Sequence, residues 1–269
     1  MDKENDMGTE PLWEACRRSG RQWRLLIEFF GQLGLDIRTD LCRPAHHRWR
    51  ETCYYIDVCG VQSLGIVVVI CGLMGLILAL QGGMVLQQYG GEIFVADSVG
   101  FSLLKELGPL MVGIIATGRA GSAFAAEIGT MKVNEEVSAL TTMGISPVRF
   151  LVLPKMLAML IALPLLAVAG DAAGLIGGLL IGVTYLGLPA SAYWGRTTAV
   201  LRPDVLSLGV AKCFVFAVLI TLIGCWRGFQ ADPDAQGVGR AATGAVVTSI
   251  LLLVVADLFI TLFYTSIGY

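Results

Sequence analysis

Five charged residues stand inside otherwise apolar sequence, and they are the first candidates for chemistry. Lys105 and Glu106 form a doublet directly before Leu107-Gly108-Pro109, and Asp171, Lys212 and Asp257 each stand alone in a later apolar run. A charge facing lipid at mid-membrane costs ~2.5–3.5 kcal/mol or more, so all five should face protein or a wet cavity. For Asp171, Lys212 and Asp257 two readings stay open: substrate contact, or a buried structural pair. The small-residue run Ala116 to Gly129 invites a nucleotide-loop reading, but it lacks the Gly-Lys-Ser/Thr ending and a preceding strand. No Ser/His/Asp or Cys/His set assembles and H-E-x-x-H is absent, so catalysis has no candidate and no enzyme is expected. His46 and His47 are adjacent without a partner motif, so no metal is assigned. Cys16, Cys42, Cys53, Cys59, Cys71, Cys213 and Cys225 are scattered without C-x-x-C and read as small buried hydrophobes.

The elements that must position these charges are membrane helices. The 269 residues are 55% hydrophobic and only 15% charged, with a mean hydropathy of +0.72. Soluble domains average about 25% charged residues, so an all-α polytopic membrane protein is expected. A net charge of −2 gives no reason to expect nucleic acid as a partner. Five spans are expected: within Val58 to Gly91, roughly Val99 to Gly118, within Met156 to Leu186 with a bend near Pro164, Val205 to Trp226, and Ala241 to Ile267. Gly170, Gly174, Gly178 and Gly182 recur every four residues on the third. Such a stripe lets backbones touch, either in a dimer seam or within one chain.

Residues 1–11 read as a polar tail, 12–57 as interfacial amphipathic helices and 58–269 as the membrane domain. In the second segment Trp23, Ile27 and Phe30 share a helix face against interleaved arginines, which suits a helix lying in the interface. No cleaved signal peptide is expected. The Arg-rich amino-terminal region, the Arg119 to Lys155 loop, Arg227 and Arg240 fall on one side, which the positive-inside rule assigns to the cytoplasm. That puts the amino terminus inside and the carboxyl terminus outside. A short helix expected over Lys132 to Met143 carries Val133, Val137 and Leu140 as an apolar stripe flanked by Lys132, Glu135 and Glu136. It could dock into a groove on a cytoplasmic partner or lie on the bilayer.

The stretch KELGPLMVGIIATGRAGSAFAAEIGTMKVNEEVSALTTMGISPVRFLVLPK closely resembles the core of the MlaE family, permease subunits of ABC transporters that move phospholipids between the inner and outer membranes of Gram-negative bacteria. The likeness extends through GLMGLILALQGGMVLQQY, through Lys212-Cys-Phe-Val-Phe and through GVGRAATGAVVTSILLLVVADLF, covering everything after about residue 55.

The resemblance implies an inner-membrane, multi-pass homodimer that maintains outer-membrane lipid asymmetry. It implies a cytoplasmic ATP-binding subunit, a periplasmic ring of MCE-domain proteins and a small STAS-type accessory subunit; ATP is bound and hydrolysed by the partner, and this chain needs no cofactor. Family pocket positions for lipid fall on Leu78, Val85, Leu86, Tyr89, Lys105, Glu106 and Leu107, and the coupling helix on Val133, Glu135, Glu136, Val137, Leu140 and Met143. Leu78, Val85, Leu86 and Tyr89 are expected to share one face of the first span. Lys105 stands where the family leads one to expect arginine, and a lysine grips phosphate as a point charge rather than a bidentate fork. Asp171 has no counterpart in the family pattern. Lys105 and Glu106, being adjacent, point about 100° apart, so one is expected to line the cavity and the other to pair across the subunit interface. Two alternatives are an ion-coupled secondary transporter, for which no inverted repeat is visible, and an ABC permease for a sterol or other lipid.

Overall fold

The computed structural model describes residues 48–266, so of the interfacial segment expected over 12–57, residues 12–47 lie outside the described residues, while 49–57 belong to the first long helix. Among the described residues five helices are long and apolar enough to cross a membrane. We label them with the two short helices between them: α1 Trp49–Gln87, α2 Phe94–Val133, α3 Glu136–Thr142, α4 Val148–Thr184, α5 Ala190–Val200, α6 Pro203–Phe229 and α7 Ala235–Ser266. No strand occurs among the described residues.

The spans outrun their apolar stretches. Hydropathy marks only what lies in lipid, while backbone hydrogen bonds carry a helix on into the interface. Thus α1 begins at Trp49 and passes through Asp57, and α2 continues through Arg119 to Val133. The segment expected as a loop from Arg119 to Lys155 is therefore mostly helical, and Lys155 itself is buried within α4. Likewise the helix expected from Lys132 to Met143 is broken. Lys132 lies in the last turn of α2, where its Nζ donates to the Phe229 and Ala231 carbonyls at 2.9 and 2.8 Å, and Glu135 turns the chain with φ +59° before α3.

Two π-helical turns sit just ahead of prolines: Leu103–Leu107 before Gly108-Pro109, and Val148–Val152 before Pro154. Proline offers no N–H and its ring crowds the carbonyl one turn back, so the ladder loosens there. The first of these turns holds the Lys105/Glu106 doublet.

The layers follow from which faces are small. On α4, 67% of the apolar window is buried, against 11% on α7, so α4 is central and α7 lies at the rim. An ideal Cβ at Gly75 would lie 1.9 Å from the Gly174 carbonyl oxygen, and one at Gly177 would lie 2.2 Å from that of Gly72. The α1 and α4 backbones touch. Gly178 and Gly182 leave room for Tyr193 of α5, and Gly170 for Cys71 and Val67 of α1. The glycine stripe is thus an intramolecular contact, which decides the alternative left open by its spacing. Cys59, Cys71, Cys213 and Cys225 are buried as expected, whereas Cys53 is exposed.

Candidate functional site

Glu106 and Lys105 leave the π-helical turn in different directions. Glu106 Oε2 accepts a hydrogen bond from Lys212 Nζ at 2.5 Å, and its Oε1 accepts one from Thr261 Oγ1 at 2.9 Å. Lys212, wholly buried on α6, also donates to Thr261 Oγ1 at 2.9 Å and lies 2.7 Å from Asp257 Oδ1, outside hydrogen-bonding geometry. One cation therefore serves two carboxylates and joins α2, α6 and α7. The expected cross-subunit partner of Glu106 is instead found in the same chain. The buried-pair reading of Lys212 and Asp257 holds, with Glu106 and Thr261 added. Asp257 and Thr261, one turn apart on α7, were the only sequence hint.

Lys105 has no acid within ion-pairing distance among the described residues. Its Nζ stands 5.0 Å from the Phe101 ring centre and lines a cavity of about 650 Å³ with Phe101, Asp204, Ser207, Leu208 and Tyr264. A second cavity of about 720 Å³ is apolar, walled by Ala211 and Val215 of α6 and by Phe259, Ile260 and Phe263 of α7. Tyr264 lines both. Nothing in the hydropathy pattern singled out Ser207 or Tyr264.

The other positions implied for lipid do not gather around Lys105. Leu78, Leu86 and Leu107 are half-buried and pack on a cluster of Ala79, Val95, Val99, Leu103, Leu175 and Leu186. Val85 and Tyr89 are 59% and 81% exposed. The single face expected of the four positions is split, because Val85 and Leu86 are neighbours, Tyr89 lies past the end of α1, and α2 with α4 occupies only the Leu78/Leu86 side.

At the opposite end, Tyr55 of α1 donates to Glu127 Oε1 of α2 at 2.6 Å, and the buried Lys155 of α4 pairs with the same oxygen at 3.1 Å. Lys155 also stands over the Tyr55 ring at 4.9 Å. Beside this clasp, α3 turns Leu140 inward, with Val133 and Val137 half-buried, while Glu135, Glu136 and Met143 are exposed. The apolar stripe read as an outward docking face is thus spent largely on the chain itself, and the outward face is Glu135, Glu136, Ser138, Ala139 and Thr141 to Ile145.

Asp171 takes no part in either cluster. Its Oδ1 is buried without a hydrogen-bond partner among the described residues and presses on Gly108, where an ideal Cβ would lie 1.8 Å away.

Comparison with known proteins fits this arrangement. The family described as Permease MlaE matches residues 52–263, which takes in all five spans but the first three residues of the first and the last three of the fifth. A "Probable ABC transporter permease protein" of Rickettsia bellii is 41% identical over 203 residues, 75% of this chain and 78% of the relative. The "Intermembrane phospholipid transport system permease protein MlaE" of Haemophilus influenzae is 36% identical over 209 residues, 77% of this chain and 79% of that protein. "Protein TRIGALACTOSYLDIACYLGLYCEROL 1, chloroplastic" of Arabidopsis thaliana is 29% identical over 216 residues, 80% of this chain and 62% of the relative. With one family covering every span and both charge clusters, the chain belongs to the MlaE permease family.

Proposed function

We propose that this chain is the membrane-spanning subunit of an ABC transporter that moves phospholipid between the inner and outer membranes of a bacterium. The observation that carries the reading is the family match across all five spans, together with the phospholipid-transport name of the Haemophilus influenzae relative. Two copies form the permease; the apolar, exposed face of α7 with Val247, Leu251, Val254, Leu258 and Leu262 supports a second copy there. ATP hydrolysis falls to a separate cytoplasmic subunit, so the permease needs no cofactor of its own. A periplasmic ring of MCE-domain proteins and a small STAS-type subunit complete the assembly.

The amino terminus is cytoplasmic and the carboxyl terminus periplasmic. The end of the bundle carrying α3 holds Lys132, Arg149, Arg227 and Arg240, while the end carrying α5 holds only Arg196 and Arg202, and the positive-inside rule favours the first as cytoplasmic. The α3 helix, with exposed Glu135, Glu136 and Met143, is the coupling element, held against the bundle by Val133, Val137 and Leu140. Lipid meets the outer half of the permease at Leu78, Val85, Leu86, Tyr89, Lys105, Glu106 and Leu107. Purification of the complex from native membranes tests the reading: an ATP-binding subunit and phospholipid should accompany the permease in fixed ratio. A permease that purifies alone and transports with an ion gradient instead of ATP would overturn it.

A further inference from the structure

We infer that Lys132 is a positioning residue for transport: it carries the movement that the ATP-binding subunit imposes on α3 into α6 and α7. The inference rests on the transport reading above and supplies the joint through which that reading acts.

A load on α3 enters the bundle through the end of α2. Among the described residues α3 packs chiefly on α2, and only Asn134 and Glu135 lie between the two helices. Leu140, buried, and Val137, half-buried, fix α3 against the bundle, and Glu135 at φ +59° makes the corner. From there the polar contacts lead to α6 and α7. Lys132 Nζ donates to the Phe229 carbonyl at 2.9 Å and to the Ala231 carbonyl at 2.8 Å. Phe229 is the last residue of α6, and Ala231 stands in the turn before α7. Both acceptors are backbone oxygens, so the bonds pull on the main chain and not on a side chain that can rotate away. An ammonium also suits the negative end of the α6 dipole. The backbones are close around it. An ideal Cβ at Gly228 would lie 2.9 Å from the Ala125 carbonyl oxygen, and one at Gly129 would lie 3.2 Å from Ala231 Cβ and 3.5 Å from a Val238 methyl of α7.

A competing route runs through Glu127, which ties α2 to Tyr55 of α1 and Lys155 of α4. Glu127 stands eight residues before Glu135, and Lys132 only three. The Glu127 side chain is 40% exposed, so solvent weakens its pair, whereas Lys132 makes two charge-assisted hydrogen bonds. The Lys132 joint therefore takes the larger share of the load. Glu106, Lys212 and Thr261 join α2 to α6 and α7 a second time, near mid-membrane. Joined twice, these three helices turn together, while α1 and α4 are locked to each other at Gly75 and Gly174. Rotation of one packed group against another is a common form of switching, and here it acts at the level of Lys105 and Glu106.

The test measures phospholipid moved per ATP hydrolysed by the intact transporter in proteoliposomes of phosphatidylethanolamine and phosphatidylglycerol. Lys132→Met should keep the ATP-binding subunit, its rate of hydrolysis and the melting temperature of the permease. Phospholipid moved per ATP should fall about tenfold, the worth of a single charge-assisted hydrogen bond, and Lys132→Arg should keep it. A covalent joint gives the second measurement. The Gly129 and Ala231 Cβ positions are 3.2 Å apart, near the ~3.5–4.5 Å of a disulfide, so Gly129→Cys with Ala231→Cys can bridge them. Added to Lys132→Met, that pair should restore the ratio when oxidised and lose it again when reduced. An unchanged ratio in Lys132→Met, or a ratio that stays low after oxidation, would overturn the inference. Loss of the ATP-binding subunit or a lower melting temperature in Lys132→Met would make Lys132 a docking or packing residue and overturn it too. An unsubstituted transporter that moves phospholipid with ATP leaves the transport reading standing in each of these cases. One that hydrolyses ATP without moving phospholipid sinks both.

Discussion

Lys212 Nζ lies 2.5 Å from Glu106 Oε2 although the two residues come from different spans and both stand about nine to twelve residues in from the α5 end of the bundle. At 1.5 Å per residue that is ~14–18 Å, close to the middle of a bilayer ~30 Å thick. Lys212 has no exposed surface, and Asp257 adds a second carboxylate. Ions so placed lose much hydration, and they persist because each satisfies the others. The cluster is best understood as a clasp that fixes α2, α6 and α7 beside the cavity carrying Lys105.

Removing one member should therefore cost more than removing all. Lys212→Met leaves two partly buried acids facing each other and should destabilise the permease, by less than the about 3–5 kcal/mol of a fully buried pair, read as lost thermal stability of the purified protein. Glu106→Gln, Lys212→Met and Asp257→Asn together should recover most of that loss. A triple variant as unstable as the single one would show that the charges are not balancing one another.

Gly75 should tolerate nothing larger. An alanine Cβ there would run into the Gly174 carbonyl, so Gly75→Ala should force α1 from α4 and cost about 1–3 kcal/mol. Gly65 has open space around its Cβ position, and Gly65→Ala should be neutral or gain up to about 1 kcal/mol of helix propensity. Melting curves of the two variants side by side decide it, and equal shifts would refute the close approach.

The five spans could be read from sequence because an uncharged apolar run of ~20 residues has few other uses. Their ends could not, since Asp57, Arg119 and Lys132 say nothing about whether a helix stops. The divergence of Lys105 and Glu106 followed from adjacency alone, but the identity of the Glu106 partner depended on how α6 and α7 fold back. The Gly170 to Gly182 spacing announced close packing without saying against what. The α5 helix was hidden: Tyr193 and Thr197, its buried residues, sit between Gly187-Leu188-Pro189 and Pro203 in what reads as a loop. The break at Glu135 was equally silent, because a glutamate at positive φ is rare and costs roughly 1–2 kcal/mol.

Docking of the ATP-binding subunit should depend on the outward face of α3. Met143→Glu alters an exposed side chain, so the ATPase should co-purify less while the permease keeps its melting temperature. Leu140→Asp buries a charge against the bundle and should lower the amount of folded permease itself. If Met143→Glu leaves the complex intact and Glu136→Lys does as well, α3 is not the contact.

Topology has a direct readout. A thiol at the exposed position Gln88 should react with an impermeant reagent from outside the inner membrane, and one at Glu135 only after the membrane is opened, with the unmodified chain as blank. Labelling of both from the same side would break the assignment of α3 to the cytoplasm.

Asp171 of α4 packs over Gly108 of α2, and the contact should be measurable as a coupling. The space over Gly108 is filled by Asp171 Oδ1 at 1.8 Å and the Leu103 carbonyl at 2.9 Å from an ideal Cβ, so Gly108→Ala must displace the carboxylate. The carboxylate cannot move freely, since it is nearly buried and its Oδ1 has no hydrogen-bond partner to trade among the described residues. Asp171→Ala alone deletes a buried polar group and opens a small void; combined with Gly108→Ala, the new methyl enters the space vacated. The double variant should therefore be less unstable than the sum of the singles by about 0.5–3 kcal/mol, the range of side chains in direct contact. Part of the Gly108→Ala loss should remain, because the Leu103 carbonyl still crowds the new Cβ. Strict additivity in a double-mutant cycle of denaturant or thermal unfolding would show that the two residues do not touch.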